Sequence, residues 1–459
     1  MTQFDLVIRN GRVVTEAMDA RVDVGISDGK VVQVGGSMDG ARVIDASWKM
    51  VIPGGIDAHV HVTSRPGAPE PRWVDDFTSG SKAALAGGIT TIGNMTQLGD
   101  DETPLAALAR EAQQAGREAI TDVLLHPIFR NAGEKALADV PRLLEDGHNS
   151  VKFFMSTPNF DGEAEGYLEL VRRAGDEQLI TLIHCEDYPL IEDATQQLVA
   201  AGKSSLRYYA ESRPVVSEVV ATQRAVAFCE ATGAPVYIVH LSCERALEVC
   251  ARAQMRGLPV YVETRPFYLH LTSERFEETD GAKYVGQPPL REPSDVEALW
   301  AGIKNGTVTT VCTDHAPWSL DAKLDPELSV ERLRPGAENL QVMLPMLYSE
   351  GARTGRISLQ KMIQVLSTNA ARLFGLYPQK GTIAPGSDAD IVIFDPDITR
   401  TISGSMLQSN ADYSVYDGWE VTGWPITTIR RGEVVFENNE ITGQAGTGLL
   451  PKRGPTQAL

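Results

Sequence analysis

Eight histidines occur in the chain, and five of them, His59, His61, His184, His240 and His315, sit at or just after the end of a short apolar run. In Asp57-Ala58-His59-Val60-His61 the alternation of an extended strand turns His59 and His61 to one face, with Asp57 in phase, so two imidazoles can reach a common ion. Alone, such a pair is equally a couple of strand histidines satisfied by hydrogen bonds. The same pattern recurs in Leu182-Ile183-His184-Cys185-Glu186, Ile238-Val239-His240-Leu241-Ser242 and Cys312-Thr313-Asp314-His315-Ala316. Four separate runs therefore end in groups that suit zinc or a similar divalent ion, and an aspartate among them can also handle the proton of a bound water. Lys152, in Val151-Lys152-Phe153-Phe154-Met155, puts a cation inside an apolar run. It is either a costly buried charge or a lysine whose stem lets the ammonium reach the strand end.

Groups so far apart in sequence need a scaffold that brings strand ends to one rim. Apolar runs at Ile89 to Ile92, Asp122 to Leu125, Val151 to Met155, Ile180 to His184, Val236 to His240, Val260 to Glu263 and Val308 to Thr313 alternate with helical stretches, and Met50 to Ile56 precedes them as an eighth. This predicts an α/β fold, a (β/α)₈ TIM barrel whose functional face lies at the strand C-termini. Hairpin texture at the start, with turns expected at Asn10-Gly11 and Asp28-Gly29, returns at Ala389 to Phe394 and at Thr427 to Glu437, where Arg431-Gly432 supplies the turn. The two ends are expected to pair into one β-sandwich, giving residues 1–52 and 380–442 to the sandwich, 53–379 to the barrel and 443–459 to a surface arm.

The 459 residues carry 42 Lys+Arg against 61 Asp+Glu, a net charge of −19, with 42% hydrophobic and 22% charged residues. That is a globular composition, and its sign disfavours nucleic acid and anionic membrane surfaces as partners. Cys185, Cys229, Cys243, Cys250 and Cys312 form no CxxC pair and read as reduced, buried thiols. With no signal-peptide pattern and no run near the roughly 20 apolar residues of a membrane span, a cytoplasmic protein is expected. Gly87-Gly88 reads as a turn, since no phosphate-binding glycine pattern follows. His126 is expected as a hydrogen-bonded rim residue, His148 on the surface, His270 in a loop, and His315 as an orienting neighbour of the site.

Taken together, Pro53-Gly54-Gly55-Ile56-Asp57-Ala58-His59-Val60-His61, Asp75-Asp76-Phe77, Ala86 to Thr91, Val151-Lys152, His184-Cys185-Glu186, Val239 to Ser242, Pro288-Pro289-Leu290-Arg291, Thr313-Asp314-His315 and the run from Leu373 to Asp390 resemble the cyclic amidohydrolases of the hydantoinase and dihydropyrimidinase type. The resemblance spans nearly the whole chain. It implies two divalent ions, zinc by preference, and a Lys152 carboxylated by carbon dioxide to a bridging carbamate. His59, His61 and Asp314 would hold one ion, and His184 and His240 the other. Asp314 would be the catalytic base and then acid in opening a cyclic amide to an N-carbamoyl product. A cytoplasmic homotetramer acting on small molecules is implied as well.

The substrate positions depart from that pattern. Thr157 stands where hydantoinases carry a tyrosine that assists the oxyanion, and Gln287 stands for the serine whose backbone grips the ring amide. Arg332, with Arg334 nearby, replaces an asparagine six residues before the glutamate of Gly336-Ala337-Glu338. Arg65, Arg332 and Arg334 are either receptors for a substrate carboxylate or solvated loop arginines. Thr157 and the loop His61 to Gly67 also resemble allantoinases, which leaves allantoin or another cyclic imide or lactam as an alternative substrate. Relatives that lost their ligands serve as non-catalytic scaffolds, a reading that the retained histidines and Asp314 oppose.

Overall fold

The computed structural model describes residues 4–459. The first strands, β1 (Phe4–Arg9), β2 (Arg12–Val14), β3 (Asp19–Arg21), β4 (Val24–Ser27), β5 (Lys30–Val34), β6 (Gly40–Asp45) and β7 (Met50–Pro53), divide between two sheets. One has the order β5-β4-β1-β6. The other joins β3, β2 and β7 to the late strands β16 (Ile391–Thr401), β17 (Glu420–Arg430), β18 (Glu433–Glu437) and β19 (Glu440–Ile441). Leu6, Ile8, Val24 and Ile26 pack against Val13, Val51, Ile391 and Ile429, so the interior of this sandwich draws on both chain ends.

Two of the three expected turns are hairpins. Asp28-Gly29 joins antiparallel β4 and β5, and Arg431-Gly432 joins β17 and β18, all four residues at positive φ (51°, 72°, 45° and 77°) as a tight two-residue connection demands. Asn10-Gly11 is different. β1 pairs with β4 and β6 while β2 pairs with β3 and β7, so this turn carries the chain from one sheet to the other. A side chain at Gly11 would meet Val51 at 2.4 Å, which explains the glycine at that crossing.

Eight parallel strands follow: β8 (Gly55–Val60), β9 (Ile89–Thr96), β10 (Asp122–Pro127), β11 (Ser150–Phe154), β12 (Ile180–His184), β13 (Val236–Ile238), β14 (Val260–Thr264) and β15 (Thr310–Val311). They form a TIM barrel, joined between β10 and β11 by the Ile128–Lys152 bridge and closed between β15 and β8 by the Val60–His315 bridge. The run Met50 to Ile56, expected as one barrel strand, is divided at Gly54: β7 pairs with β16 in the sandwich and β8 with β9 in the barrel. Ile56, Ala58, Leu124, Ile180, Leu182 and Tyr237 fill the barrel, and Leu373 and Phe374 plug its N-terminal end. There Asn149 Nδ2 donates to Leu373 O and Asn369 Nδ2 to Thr309 O, both at strand entries.

The Gly- and Pro-rich tail is largely exposed and lies along the surface of the barrel. It crosses the barrel floor, with Leu449 O accepting from Val123 N and Gly454 N donating to Gly375 O. Arg453 is buried beneath the barrel and donates to Gly147 O, Ser150 Oγ and Leu125 O, so each guanidinium nitrogen has an acceptor without a carboxylate. Among the described residues no helix is long and apolar enough to cross a membrane. All five cysteines are buried and free.

Candidate metal centre

The strand C-termini converge as the barrel geometry requires. From the end of β8 and the residue after it, His59 Nε2 and His61 Nε2 approach Asp314 Oδ1 at 3.2 and 3.1 Å, and the three ligand atoms lie within 4.8 Å of one another. Beside them His184 Nδ1, at the end of β12, is 2.9 Å from His240 Nε2, just past β13. The His59 and His240 rings are 5.5 Å apart, so the two groups are contiguous. Lys152, on β11, is fully buried, and its Nζ has no hydrogen-bond partner, lying instead 5.0 Å from the Phe154 ring. It does not reach solvent along its stem.

Second partners fix the imidazoles. His59 Nδ1 bonds Glu263 Oε1 at 2.8 Å, and the same oxygen accepts from His240 N at 2.9 Å. His184 Nε2 bonds Glu186 Oε2 at 2.8 Å, and Glu186 is itself gripped by Arg213. Each carboxylate orients an imidazole so that its other nitrogen faces the centre. His315 bonds Asp75 through Nε2 at 2.7 Å, and its carbonyl accepts from His61 N. Asp57, in phase with His59 and His61, instead accepts from Thr313 N and so braces the strand that carries Asp314.

The electrostatics suit cation binding. Burial lowers the pKa of His61, His184 and His240, keeping the imidazoles neutral. Burial would raise Asp314, but the charges of His59 and Arg265 and the His61 hydrogen bond bring its carboxyl well below the usual range. Burial brings the Lys152 ammonium down to about 8. The imidazoles, an ionised carboxylate, an unpartnered buried lysine and the orphaned His61 Nδ1 and His240 Nδ1 form a donor set that fits divalent metal ions.

A cavity of about 210 Å³ opens onto this centre, lined by His59, His61, His184, His240 and Asp314 together with Trp73, Gln97, Phe154, Gln287, Ala316, Pro335 and Gly336. A larger groove of about 890 Å³ between residues 131–137 and 162–173 holds no histidine. Of the expected substrate residues, Gln287 lines the cavity. Thr157 does not: its hydroxyl donates to Phe154 O, and the Phe154 ring occupies the wall. Arg332 is exposed and outside the lining, Arg334 pairs with Asp325, and Arg65 pairs with Asp100. No arginine or lysine side chain lines the cavity. His126 is buried within the barrel, bonded to Ser150 Oγ, rather than on the rim.

Sequence reasoning passed over Glu263, Glu186 and Arg265 as functional groups, and Trp73 entirely. Arg265 Nη1 lies 3.2 Å from Asp314 Oδ2. Trp73 sits in the loop after β8 with its ring 4.9 Å from that of His61. Glu263 and Glu186 had a signal, an acidic residue at or just past a strand end after apolar neighbours.

Comparison with known proteins agrees with this geometry. The amidohydrolase family matches residues 50–435. A D-hydantoinase of Ralstonia pickettii is 36% identical over 454 residues, covering 98% of this chain and 99% of its own. A D-phenylhydantoinase of Escherichia coli O1:K1 is 35% identical over 456 residues, covering 98% of both. The crystal structure of a dihydropyrimidinase from Brevibacillus agri NCHU1002 superposes with a TM-score of 0.93 at 36% identity, covering 99% of each chain. An L-hydantoinase from Arthrobacter aurescens gives 0.90 at 31%, covering 98% of this chain and all of its own. By its family match, its full-length relatives and its fold, the chain belongs to the amidohydrolase family, in the hydantoinase and dihydropyrimidinase branch.

Proposed function

We propose that this protein hydrolyses a neutral cyclic ureide, of hydantoin or dihydropyrimidine type, to the ring-opened N-carbamoyl product. The convergence of His59, His61, His184, His240 and Asp314 on one cavity, with a buried, unpartnered Lys152 on β11 beside the strand that ends in His184, carries the reading. Two divalent ions, zinc by preference, would polarise the ring carbonyl and lower the pKa of the attacking water. His59, His61 and Asp314 would hold one ion, His184 and His240 the other, and Lys152, as a carbamate, would supply a further anionic ligand. Carboxylation removes the cost of an unpartnered buried ammonium and replaces it with an anion facing two dications.

The remaining steps belong to the chain. Asp314 accepts the proton of water as its oxygen attacks the ring carbonyl, then returns it to the ring nitrogen as the C–N bond breaks. Glu263 and Glu186 keep His59 and His184 in the required orientation. Trp73, Phe154 and Pro335 line the cavity and shield it from bulk water. The absence of a cationic side chain from the lining favours an uncharged ring over a carboxylated one.

A homotetramer acting in the cytoplasm accompanies this reading. Exposed Val199, Val216 and Val220 on the mutually packed helices Tyr188–Ala200 and Val215–Thr232, and the free cysteines, support it. The test is a panel of hydantoins, dihydrouracil, allantoin, dihydroorotate and cyclic imides on metal-replete protein, with intact mass measured under mild conditions. Neutral ureides should open, dihydroorotate should be at least about tenfold poorer in kcat/KM, and the mass should include one added carbon dioxide on Lys152. Failure to open any ring, with metal bound, would sink the proposal.

A further inference from the structure

Lys323 is 1% exposed and pairs with no carboxylate among the described residues. Its ammonium donates instead to three backbone carbonyls, Val285 O at 2.8 Å, Arg334 O at 2.7 Å and Gly336 O at 2.8 Å, which uses every donor it has. A buried charge held only by carbonyls is an expensive way to join loops, and burial accordingly pushes this ammonium well below the usual lysine range. The three carbonyls belong to the two segments that furnish one wall of the cavity, Gln287 from the first and Pro335 with Gly336 from the second. Gly336 N also donates to Val285 O at 2.9 Å.

The first segment is held on both sides of Gln287. Tyr209 OH donates to Gly286 O at 2.9 Å and Tyr268 OH to Pro288 O at 2.6 Å. Gly286 packs so closely on Arg265, the partner of Asp314, that a side chain there would meet Arg265 Nη1 at 3.0 Å. Of the carbonyls from Val285 to Pro288, that of Gln287 alone accepts no hydrogen bond among the described residues.

We propose that Lys323, with Tyr209 and Tyr268, is a positioning residue for substrate recognition: it clamps segments 285–288 and 334–336 together so that the Gln287 peptide remains the free acceptor for a ring N–H. The inference rests on the cyclic ureide reading. Because the clamp orders a ground-state binding wall and touches neither the proposed metal ligands nor the attacking water, its loss falls on KM rather than on kcat.

The test is Lys323→Met, which keeps the length of the stem and removes the donors. Expected are a KM raised about tenfold with kcat within about threefold and metal content unchanged. Amide exchange across 285–287 and 334–337, read without substrate, should quicken while the barrel strands keep their protection. If that variant does not fold, Tyr209→Phe removes one clamp and keeps the ring, and should raise KM about threefold with faster exchange at 286–287. Unchanged KM or unchanged exchange in the folded variant overturns the clamp. A wild-type protein that opens no cyclic amide sinks the functional reading instead, since exchange is measured independently of turnover.

Discussion

His240 and Asp314 both adopt positive φ, 40° and 50°, which is uncommon for residues with a side chain. Such backbone strain persists only where neighbours over-determine it. Here Glu263 accepts from His240 N, and Asp57 accepts from Thr313 N immediately before Asp314. The strained turns aim both side chains into the rim. Asp314 then has two oxygens with different surroundings, Oδ1 facing His59 and His61 and Oδ2 facing Arg265. Asp314→Asn preserves this shape and removes the proposed base. It should keep metal, measured by elemental analysis, while kcat falls by about a thousandfold; a wild-type rate would reassign the proton transfer.

At the scale of elements, each strand end is tied to its neighbours by charge as well as by packing. The loop after β12 carries Glu186, which bonds His184 and receives Arg213 from the end of the short helix Tyr209–Ser212. Burial pushes the Glu186 carboxyl up, but the Arg213 charge and the His184 and Arg213 hydrogen bonds outweigh it and bring it to about 2. Because the folded pKa lies below the ordinary 4.5, this stabilisation is fully present above that value and is lost as pH falls toward 2. Between about pH 5 and about pH 3 the group should cost the metal-free protein about 2 kcal/mol of stability, read by urea unfolding. Arg213→Met should flatten that limb of the profile, and an unaltered slope would show that the pair does not hold the loop.

At the scale of the molecule, the sandwich and barrel are joined through a buried cluster. Lys380 Nζ lies 2.7 Å from Asp122 at the start of β10 and 2.5 and 3.1 Å from Asp390 and Asp388, which lead into β16. Asp122 also meets Arg431 of the β17–β18 turn. The three aspartates are arranged closely enough to hold a metal ion, but the lysine ammonium already supplies the cation. Removing one partner of a buried ionic group leaves the others uncompensated. Lys380→Met should therefore lower stability by about 3–5 kcal/mol in chemical denaturation, with kcat per bound metal unchanged in the protein that folds. A drop in kcat at full metal content would mean that the cluster also shapes the distant rim.

Much of the site is legible in the sequence because a strand end is a local event. Period-two alternation places His59 and His61 on one face, and the apolar runs before His184, His240 and Asp314 mark where each strand stops. The hairpins at Asp28-Gly29 and Arg431-Gly432 are legible for the same reason, since a two-residue turn is specified by its own backbone preference. Asn10-Gly11 has that preference too, yet β1 pairs with β4 and β6 while β2 pairs with β3 and β7, so its outcome is set by strands that the turn does not join. The tail reads as a surface arm by composition, and its anchorage appears only in the fold, where Arg453 meets the carbonyls of Gly147 and Leu125. Thr157, Arg332 and Arg334 have the chemistry to meet a substrate, but local hydrogen bonding, exposure and Asp325 take them away from the cavity. Glu263, Arg265, Trp73 and Lys323 acquire their roles from proximity alone. The amino-acid sequence determined which groups stand at the strand ends, because backbone propensity and side-chain alternation act over a few residues. The tertiary structure decided which of them face one cavity and what holds them there, because hydrogen bonds and buried charges join segments that no local preference connects.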